Sequence, residues 1–139
     1  MHTKTIDFNG ASLFYRVTGT GKPVLLIHGF GEDGEVWNRQ WTFLQDYFTL
    51  IIPDLPGSGR SGMIADMSIE GMAEAIKHVL NTELLALNTG NMEGICVIGH
   101  SMGGYITWHS PKNTRNSSTP LAYFILLHLP TMKKRKPPV

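Results

Sequence analysis

Hydrophobic positions along this chain fall into two patterns, short continuous runs and stretches with helical spacing. Residues 24–27, 50–53 and 95–98 are apolar throughout, which is typical of strands buried on both faces of a parallel sheet. From position 69 to position 80 apolar side chains recur every three or four residues, so this stretch predicts an amphipathic helix. Ser68 lies directly before it and is a favourable N-cap residue.

The chain before residue 50 supplies the other predicted elements. Residues 3–8 and 11–18 predict two strands, and Asn9 and Gly10 between them form a strong hairpin signal because both tolerate positive φ. Hydrophobic side chains at helical spacing predict a helix over residues 35–45. Strands that alternate with helices favour an α/β fold, with an antiparallel hairpin followed by parallel strands with flanking helices.

The third apolar run leads into Gly99, His100, Ser101, Met102 and Gly103. This segment has the G-x-S-x-G pattern, in which a serine sits on a sharp turn between a strand and a helix. The turn holds the serine hydroxyl away from the backbone, and the glycines remove side chains that would collide with it. The pattern predicts that Ser101 is a catalytic nucleophile, supported by Gly99, His100 and Gly103.

The first apolar run leads into a second glycine-bearing loop, His28-Gly29-Phe30-Gly31. Such a loop can turn a backbone N–H toward a substrate oxygen. In acyl transfer this donor pairs with the N–H of the residue after the nucleophile, and together they hold the developing negative charge. We expect the N–H groups of Phe30 and Met102 to form this oxyanion hole, with Gly29 and Gly31 supporting the loop.

The second apolar run ends in a turn-rich loop that contains Asp54, Gly57 and Gly59. In this order and at this spacing, the three segments resemble the N-terminal half of the α/β-hydrolase fold over residues 5–107. The resemblance implies an α/β-hydrolase sheet that is truncated after the nucleophile elbow. It also implies supporting roles for His28, which shapes its loop, and for Asp54, Gly57 and Gly59.

The resemblance implies a chemistry as well as a fold. A serine in the elbow is typical of hydrolases that attack an ester, thioester, amide or carbon–carbon bond, the first three through an acyl-enzyme. Aspartate occupies this position in the epoxide-hydrolase and haloalkane-dehalogenase branches, so Ser101 argues against both. Met102 favours esterase-like members over proline iminopeptidases. We expect a small-molecule substrate of unknown identity, no organic cofactor and no metal, since nothing at the site has metal-ligand spacing.

The histidine and the carboxylate that a catalytic serine needs are not evident in this sequence. A serine nucleophile needs a histidine base oriented by a carboxylate, and in α/β-hydrolases both follow the serine. No Asp or Glu follows Glu93. His109 lies beside the helix-breaking Pro111 and His128 lies in an apolar run, so both are poor candidates, and Asp54 precedes the serine. The alternative is therefore a truncated, catalytically incomplete, non-enzymatic product that lacks the triad acid and histidine.

Charge divides the chain at Thr107. Residues 1–107 contain all 11 acidic residues and six of the 12 basic ones, whereas residues 108–139 contain the other six basic residues and no acidic residue. We therefore predict two segments. The first, 1–107, is the N-terminal portion of an α/β-hydrolase domain, and the second, 108–139, is an aberrant basic tail.

Other features of the sequence limit its partners and its location. The single cysteine, Cys96, excludes a disulfide framework. The first 24 residues contain no apolar stretch of signal-peptide length, so we expect a cytoplasmic protein. The nine residues 121–129 are too few to cross a bilayer, which needs about 20. We expect neither a membrane nor a nucleic acid as partner, and the sequence leaves the oligomeric state open.

One hypothesis for the origin of the tail is a shifted reading frame. Trp108 has the single codon TGG, and loss of one C from ACC-CTG after Ile106 produces the observed Thr107 and Trp108. When the tail is read one base earlier, its codons permit a sequence that continues the helix, adds an apolar strand and contains acidic residues. Codon degeneracy permits other sequences as well.

Resequencing of the coding region tests this hypothesis directly. We expect one missing base near codons 107 and 108, and a restored frame that continues to an Asp or Glu and then a His. A stop codon immediately downstream in the restored frame would contradict the hypothesis.

Overall fold

The structure of this protein is a computed structural model, and it describes residues 1–88 and 95–109. In chain order its strands are β1 (His2–Phe8), β2 (Ala11–Thr18), β3 (Lys22–Ile27), β4 (Phe48–Pro53) and β5 (Cys96–Gly99). The helices are α1 (Asn38–Leu44), α2 (Ile69–Ala86) and α3 (Met102–His109), and a 3₁₀ turn at Gly34–Trp37 precedes α1. From residue 110 onward, the predicted tail lies outside the described residues.

Within this part of the chain the strands form one mixed sheet in the order β1-β2-β4-β3-β5. β1 pairs with β2, and β2 with β4, in antiparallel orientation, whereas β3 pairs with both β4 and β5 in parallel. At the first turn Asn9 has φ of 51° and Gly10 has φ of 85°. The predicted antiparallel hairpin followed by parallel strands is therefore confirmed.

Side chains of β3 alternate between the two faces of the sheet, and helices cover both faces. Leu25 and Ile27 pack in the cluster that contains the apolar stripe of α2, whereas Val24 and Leu26 pack with Trp37 on the opposite face. Each of these five side chains is at most 4% exposed. Burial on both faces explains why the sequence of this strand is continuously apolar.

One of the two predicted helices before the elbow forms as expected and the other differs. The N–H of Gly71 donates to the Ser68 hydroxyl at 3.1 Å, so Ser68 caps α2 as predicted. The prediction of a single helix over residues 35–45 is wrong for the first turn. That turn is a 3₁₀ helix, and the α-helix begins only at Asn38. The carboxylate of Asp33 accepts the N–H of Glu35 at 2.8 Å, and a side-chain bond over so short a span favours a tight turn before the α-helix begins.

The order of the strands brings three loops to one edge of the sheet. β3 lies between β4 and β5, and all three are parallel. The loops that follow these strands therefore begin side by side at their carboxyl ends, where open α/β sheets bind ligands. No helix in residues 1–88 and 95–109 is both long enough and apolar enough to cross a membrane.

A buried carboxylate joins α2 to the hairpin. Glu83 is 1% exposed, and it accepts hydrogen bonds from Lys4 Nζ at 2.8 Å and from the Tyr15 hydroxyl at 3.0 Å. Burial and the neighbouring Glu83 carboxylate raise the pKa of Tyr15 well above its usual value, so the phenol stays protonated and donates. Glu83 therefore connects β1, β2 and α2 through charge-assisted hydrogen bonds.

We predict that Glu83→Ala destabilises the fold by about 2–3 kcal/mol, because it leaves the Tyr15 hydroxyl and the Lys4 ammonium without their acceptor. The matched control is Glu74→Ala on the same helix, whose side chain is 66% exposed and whose loss should cost less than about 0.5 kcal/mol. Urea denaturation at pH 7 measures both variants. Equal midpoints for the two variants would contradict the prediction.

Candidate active site

Ser101 occupies the turn between β5 and α3. Its φ is 51°, which lies in the left-handed region that a non-glycine residue rarely adopts, and its side chain is exposed. The turn is held on both sides, because the N–H of His100 donates to the Ile27 carbonyl at 2.8 Å and that of Gly103 donates to the His100 carbonyl at 2.9 Å. The backbone therefore presents the serine at the carboxyl edge of the sheet.

Two glycines make this turn possible by close approach. A Cβ at Gly99 would lie 2.5 Å from the carbonyl carbon and oxygen of Gly103, and a Cβ at Gly103 would collide with the carbonyl oxygen of Ile27. All of these contacts are with backbone atoms, which have little freedom to move away. Any larger residue at either position would therefore separate α3 from β3 and β5 and displace Ser101.

The loop after β3 lies directly against the serine. A Cβ at Gly29 would be 3.1 Å from the Cβ of Ser101. Gly31 has φ of 74°, and the Phe30 side chain between these glycines is 85% exposed. The N–H of Phe30 belongs to this loop, and the N–H of Met102 belongs to the first turn of α3, where helix N–H groups have no acceptor within the helix.

His28 connects the loop after β3 to the loop after β4. It is fully buried, and its Nε2 accepts the N–H of Leu55 at 2.8 Å. The ring proton is therefore on Nδ1, which donates to the Gly29 carbonyl at 2.8 Å. Burial lowers the pKa of His28, so the ring is neutral. Both ring nitrogens are used, and His28 joins two loops.

Asp54 has a buried carboxylate at the end of β4. It accepts hydrogen bonds from the Arg60 N–H at 2.9 Å, the Arg16 guanidinium at 2.7 Å and the Gly34 N–H at 2.8 Å. Burial alone would raise the pKa of this carboxyl group, but the three hydrogen bonds outweigh burial and lower the pKa. Asp54 therefore holds its loop against β2 and the 3₁₀ turn.

The rest of the Asp54 loop contains two glycines with positive φ and an arginine that lies over an aromatic ring. Gly57 and Gly59 have φ of 74° and 50°. The guanidinium groups of Arg16 and Arg60 lie 4.8 Å and 4.2 Å from the centre of the Phe14 ring, within the range of cation–π attraction. The role of Arg16 is not predicted from the sequence, although a charged residue inside the apolar stretch of β2 is a visible signal.

Glu32 is a second residue whose role is not predicted from the sequence. Its Oε2 accepts the Gly29 N–H at 2.9 Å and lies 3.0 Å from Nδ1 of His100. The side chains of Glu32 and His100 are 29% and 15% exposed. In the sequence Glu32 stands in a run of acidic loop residues with Asp33 and Glu35, a pattern typical of a solvated loop.

The described side chains, those of residues 1–88 and 95–107, place no histidine within hydrogen-bonding distance of the Ser101 hydroxyl. The side chain of His109 and all of His128 lie outside the described residues. No three His, Cys, Asp or Glu residues in the described part are grouped so that they could hold a metal ion.

Comparison with known proteins identifies the family. The sequence model of the alpha/beta hydrolase family matches residues 24–129, more than half of the chain. The chain therefore belongs to the alpha/beta hydrolase family, a family of hydrolytic enzymes. The match extends past Thr107, and the boundary between the two predicted segments stays a prediction.

Three similar proteins illustrate the range of this family. The (E)-2-((N-methylformamido)methylene)succinate hydrolase of Acinetobacter baylyi is 31% identical over 77% of this chain and 39% of its own length. Epoxide hydrolase 3 of Siraitia grosvenorii is 31% identical over 76% of this chain and 32% of its own length. The solved structure of a thermophilic esterase from Thermogutta terrifontis is 34% identical, with a TM-score of 0.68, over 83% of this chain and 42% of that one. The match thus spans less than half the length of each.

The Asp54 network predicts a specific loss of stability in acid. A lowered folded-state pKa means that ionised Asp54 stabilises the fold above the unfolded-state value of about 4, and that this contribution is lost as pH falls through the folded-state pKa. We expect Asp54→Asn to cost about 3–5 kcal/mol at pH 7, because Arg16 keeps a buried charge without its partner. The difference from the wild type should shrink below about pH 4.

Urea denaturation of both proteins between pH 3 and pH 7 measures this difference. The matched control is Asp46→Asn, which changes an exposed side chain and should shift stability by less than about 0.5 kcal/mol. A difference between wild type and Asp54→Asn that is constant across this range would contradict the assignment.

Proposed function

We propose that this protein is a serine hydrolase in which Ser101 is the nucleophile. Its substrate is a small molecule with an ester, thioester, amide or cleavable carbon–carbon bond. With the first three, the serine oxygen attacks the carbonyl carbon, the bond to the alcohol, thiol or amine breaks, and that group leaves with the serine proton as the acyl-enzyme forms. Water then hydrolyses the acyl-enzyme, which releases the carboxylic acid and restores the serine. The N–H groups of Phe30 and Met102 stabilise the negative charge that develops on the carbonyl oxygen.

The conformation of Ser101 carries this proposal. A φ of 51° in a non-glycine residue is unfavourable, and such strain is kept mainly where function requires it. Here the strain presents an exposed hydroxyl beside a glycine-bearing loop and at the start of a helix, which is the arrangement of a nucleophile elbow. A merely structural serine at this turn would gain nothing from the left-handed conformation.

The relatives favour ester-like substrates within this proposal. One solved neighbour is an esterase, and another is an N-acyl homoserine lactonase with a TM-score of 0.69 and 28% identity. An epoxide hydrolase is also a relative. That branch uses an elbow aspartate, so Ser101 at this position supports acyl transfer over epoxide opening.

A second candidate is a catalytically incomplete product. The observation that favours it is the absence of any Asp or Glu after Glu93 in the sequence. Without a carboxylate after the serine, no histidine that follows Ser101 in this sequence is oriented as its base, and loss of the base typically costs several orders of magnitude in rate. Binding and oxyanion stabilisation alone leave a small residual rate.

We predict that the 139-residue chain hydrolyses p-nitrophenyl acetate barely above background and reacts slowly with a fluorophosphonate probe. A frame-restored, longer chain should do both efficiently, and Ser101→Ala should abolish both. Ser12→Ala, which changes an exposed serine on β2, is the matched control and should have no effect. Mass spectrometry of the labelled peptide identifies the modified residue.

Two results would contradict these expectations in different ways. If labelling by the probe persists in Ser101→Ala, Ser101 is not the nucleophile. Rapid, Ser101-dependent turnover by the 139-residue chain would show that a base is present, and His109 and His128 would be the first residues to replace.

A further inference from the structure

We propose that Glu32 is a positioning residue that locks the Phe30 loop to the Ser101 elbow through hydrogen bonds to Gly29 and His100. Its effect on catalysis rests on the proposed serine-hydrolase function, whereas the lock itself is a property of the fold. The side-chain hydrogen bonds of Glu32 go to Gly29 and His100. Glu32 therefore acts through the two backbone segments that carry Ser101 and the proposed oxyanion donors.

The first half of the lock closes the loop after β3. Oε2 of Glu32 accepts the N–H of Gly29 at 2.9 Å, and the N–H of Glu32 donates to the Gly29 carbonyl at 3.4 Å. Phe30 lies inside this small ring between two glycines, which are the residues that restrict a backbone least. The two glycines leave the backbone around Phe30 free to change conformation, and the hydrogen bonds of Glu32 limit that freedom.

The second half of the lock reaches the elbow. The same Oε2 lies 3.0 Å from Nδ1 of His100, so a proton on Nδ1 is donated to the carboxylate. His100 is joined to β3 through its own N–H and directly precedes Ser101. One carboxylate oxygen thus bridges the two segments that supply the two proposed oxyanion donors, and both side chains are largely shielded from water.

Oxyanion stabilisation depends on this kind of fixed geometry. Both donors must lie about 2.7–3.1 Å from one oxygen position, and a misplacement of about 1 Å can cost about a hundredfold in rate. A carboxylate near a developing oxyanion would by itself oppose the reaction. With its Oε2 engaged by two donors, Glu32 exerts a weaker repulsion and fixes the separation of the two segments.

Amide hydrogen exchange on the full chain tests the lock without any need for activity. In Glu32→Ala we expect the Gly29 amide to exchange at least about tenfold faster than in the wild type, since it loses a charged acceptor. We also expect the ¹⁵N signal of His100 Nδ1 to shift. Glu32→Gln keeps a carbonyl acceptor and should restore slow exchange at Gly29 in part.

The matched control is Glu35→Ala, which removes an exposed carboxylate three positions along the same segment and should change neither signal. Near-ultraviolet circular dichroism shows whether Glu32→Ala is folded. If it is not folded, Glu32→Gln tests the lock instead, and we expect the ¹⁵N signal of His100 Nδ1 to shift in this variant. Unchanged Gly29 exchange and an unchanged His100 signal in folded variants would overturn the lock.

The rate of Ser101 phosphonylation by the fluorophosphonate probe, measured in the frame-restored, longer chain that we expect to react efficiently, tests the catalytic consequence. We expect Glu32→Ala to slow labelling by about 10–100-fold, Glu32→Gln to slow it less, and Glu35→Ala to leave it unchanged. Labelling of folded Glu32→Ala at the wild-type rate would overturn the positioning role. Absence of Ser101 labelling in the wild type would instead count against the proposed function, and the exchange measurements would still decide the lock.

Discussion

The hydrogen bond from the His100 N–H to the Ile27 carbonyl, 2.8 Å long, joins the end of β5 to the end of β3. α3 begins immediately beyond it, with Gly103 packed so closely on the Ile27 carbonyl that no side chain fits between them. Because β3 is the strand between β4 and β5, a turn fixed to β3 is also fixed relative to the loops of both neighbours. The strained conformation of Ser101 is therefore maintained by backbone contacts on both sides.

Buried polar groups, together with the apolar packing of Leu55, hold the loops around this turn. The neutral His28 ring joins the loops after β3 and β4, and the Asp54 carboxylate joins β2, the 3₁₀ turn and its own loop. Buried polar groups are costly unless they are paired, and His28, Asp54 and Arg16 all have partners. Hydrogen bonds are also directional, so such a network fixes loop geometry more tightly than apolar contacts do.

The site divides into two parts with different structural requirements. The proposed nucleophile and its oxyanion donors depend on backbone conformation, and the elements that set this conformation all lie between β3 and α3. Proton transfer requires in addition an imidazole and a carboxylate from side chains elsewhere in the fold. Among the described residues, His28, His100, Glu32 and Asp54 are already engaged in hydrogen bonds that hold loops.

The sequence by itself determined the elements whose cause is local, namely the hairpin, the continuously apolar strands and the strand-to-helix turn at Ser101. It did not determine the 3₁₀ turn before α1, because a side-chain hydrogen bond there outweighs helical spacing. Only the tertiary structure decided the roles of Arg16 and Glu32. Arg16 meets Asp54 across 38 positions and Glu32 meets His100 across 68, and no local pattern specifies a contact whose partners are brought together only by the sheet.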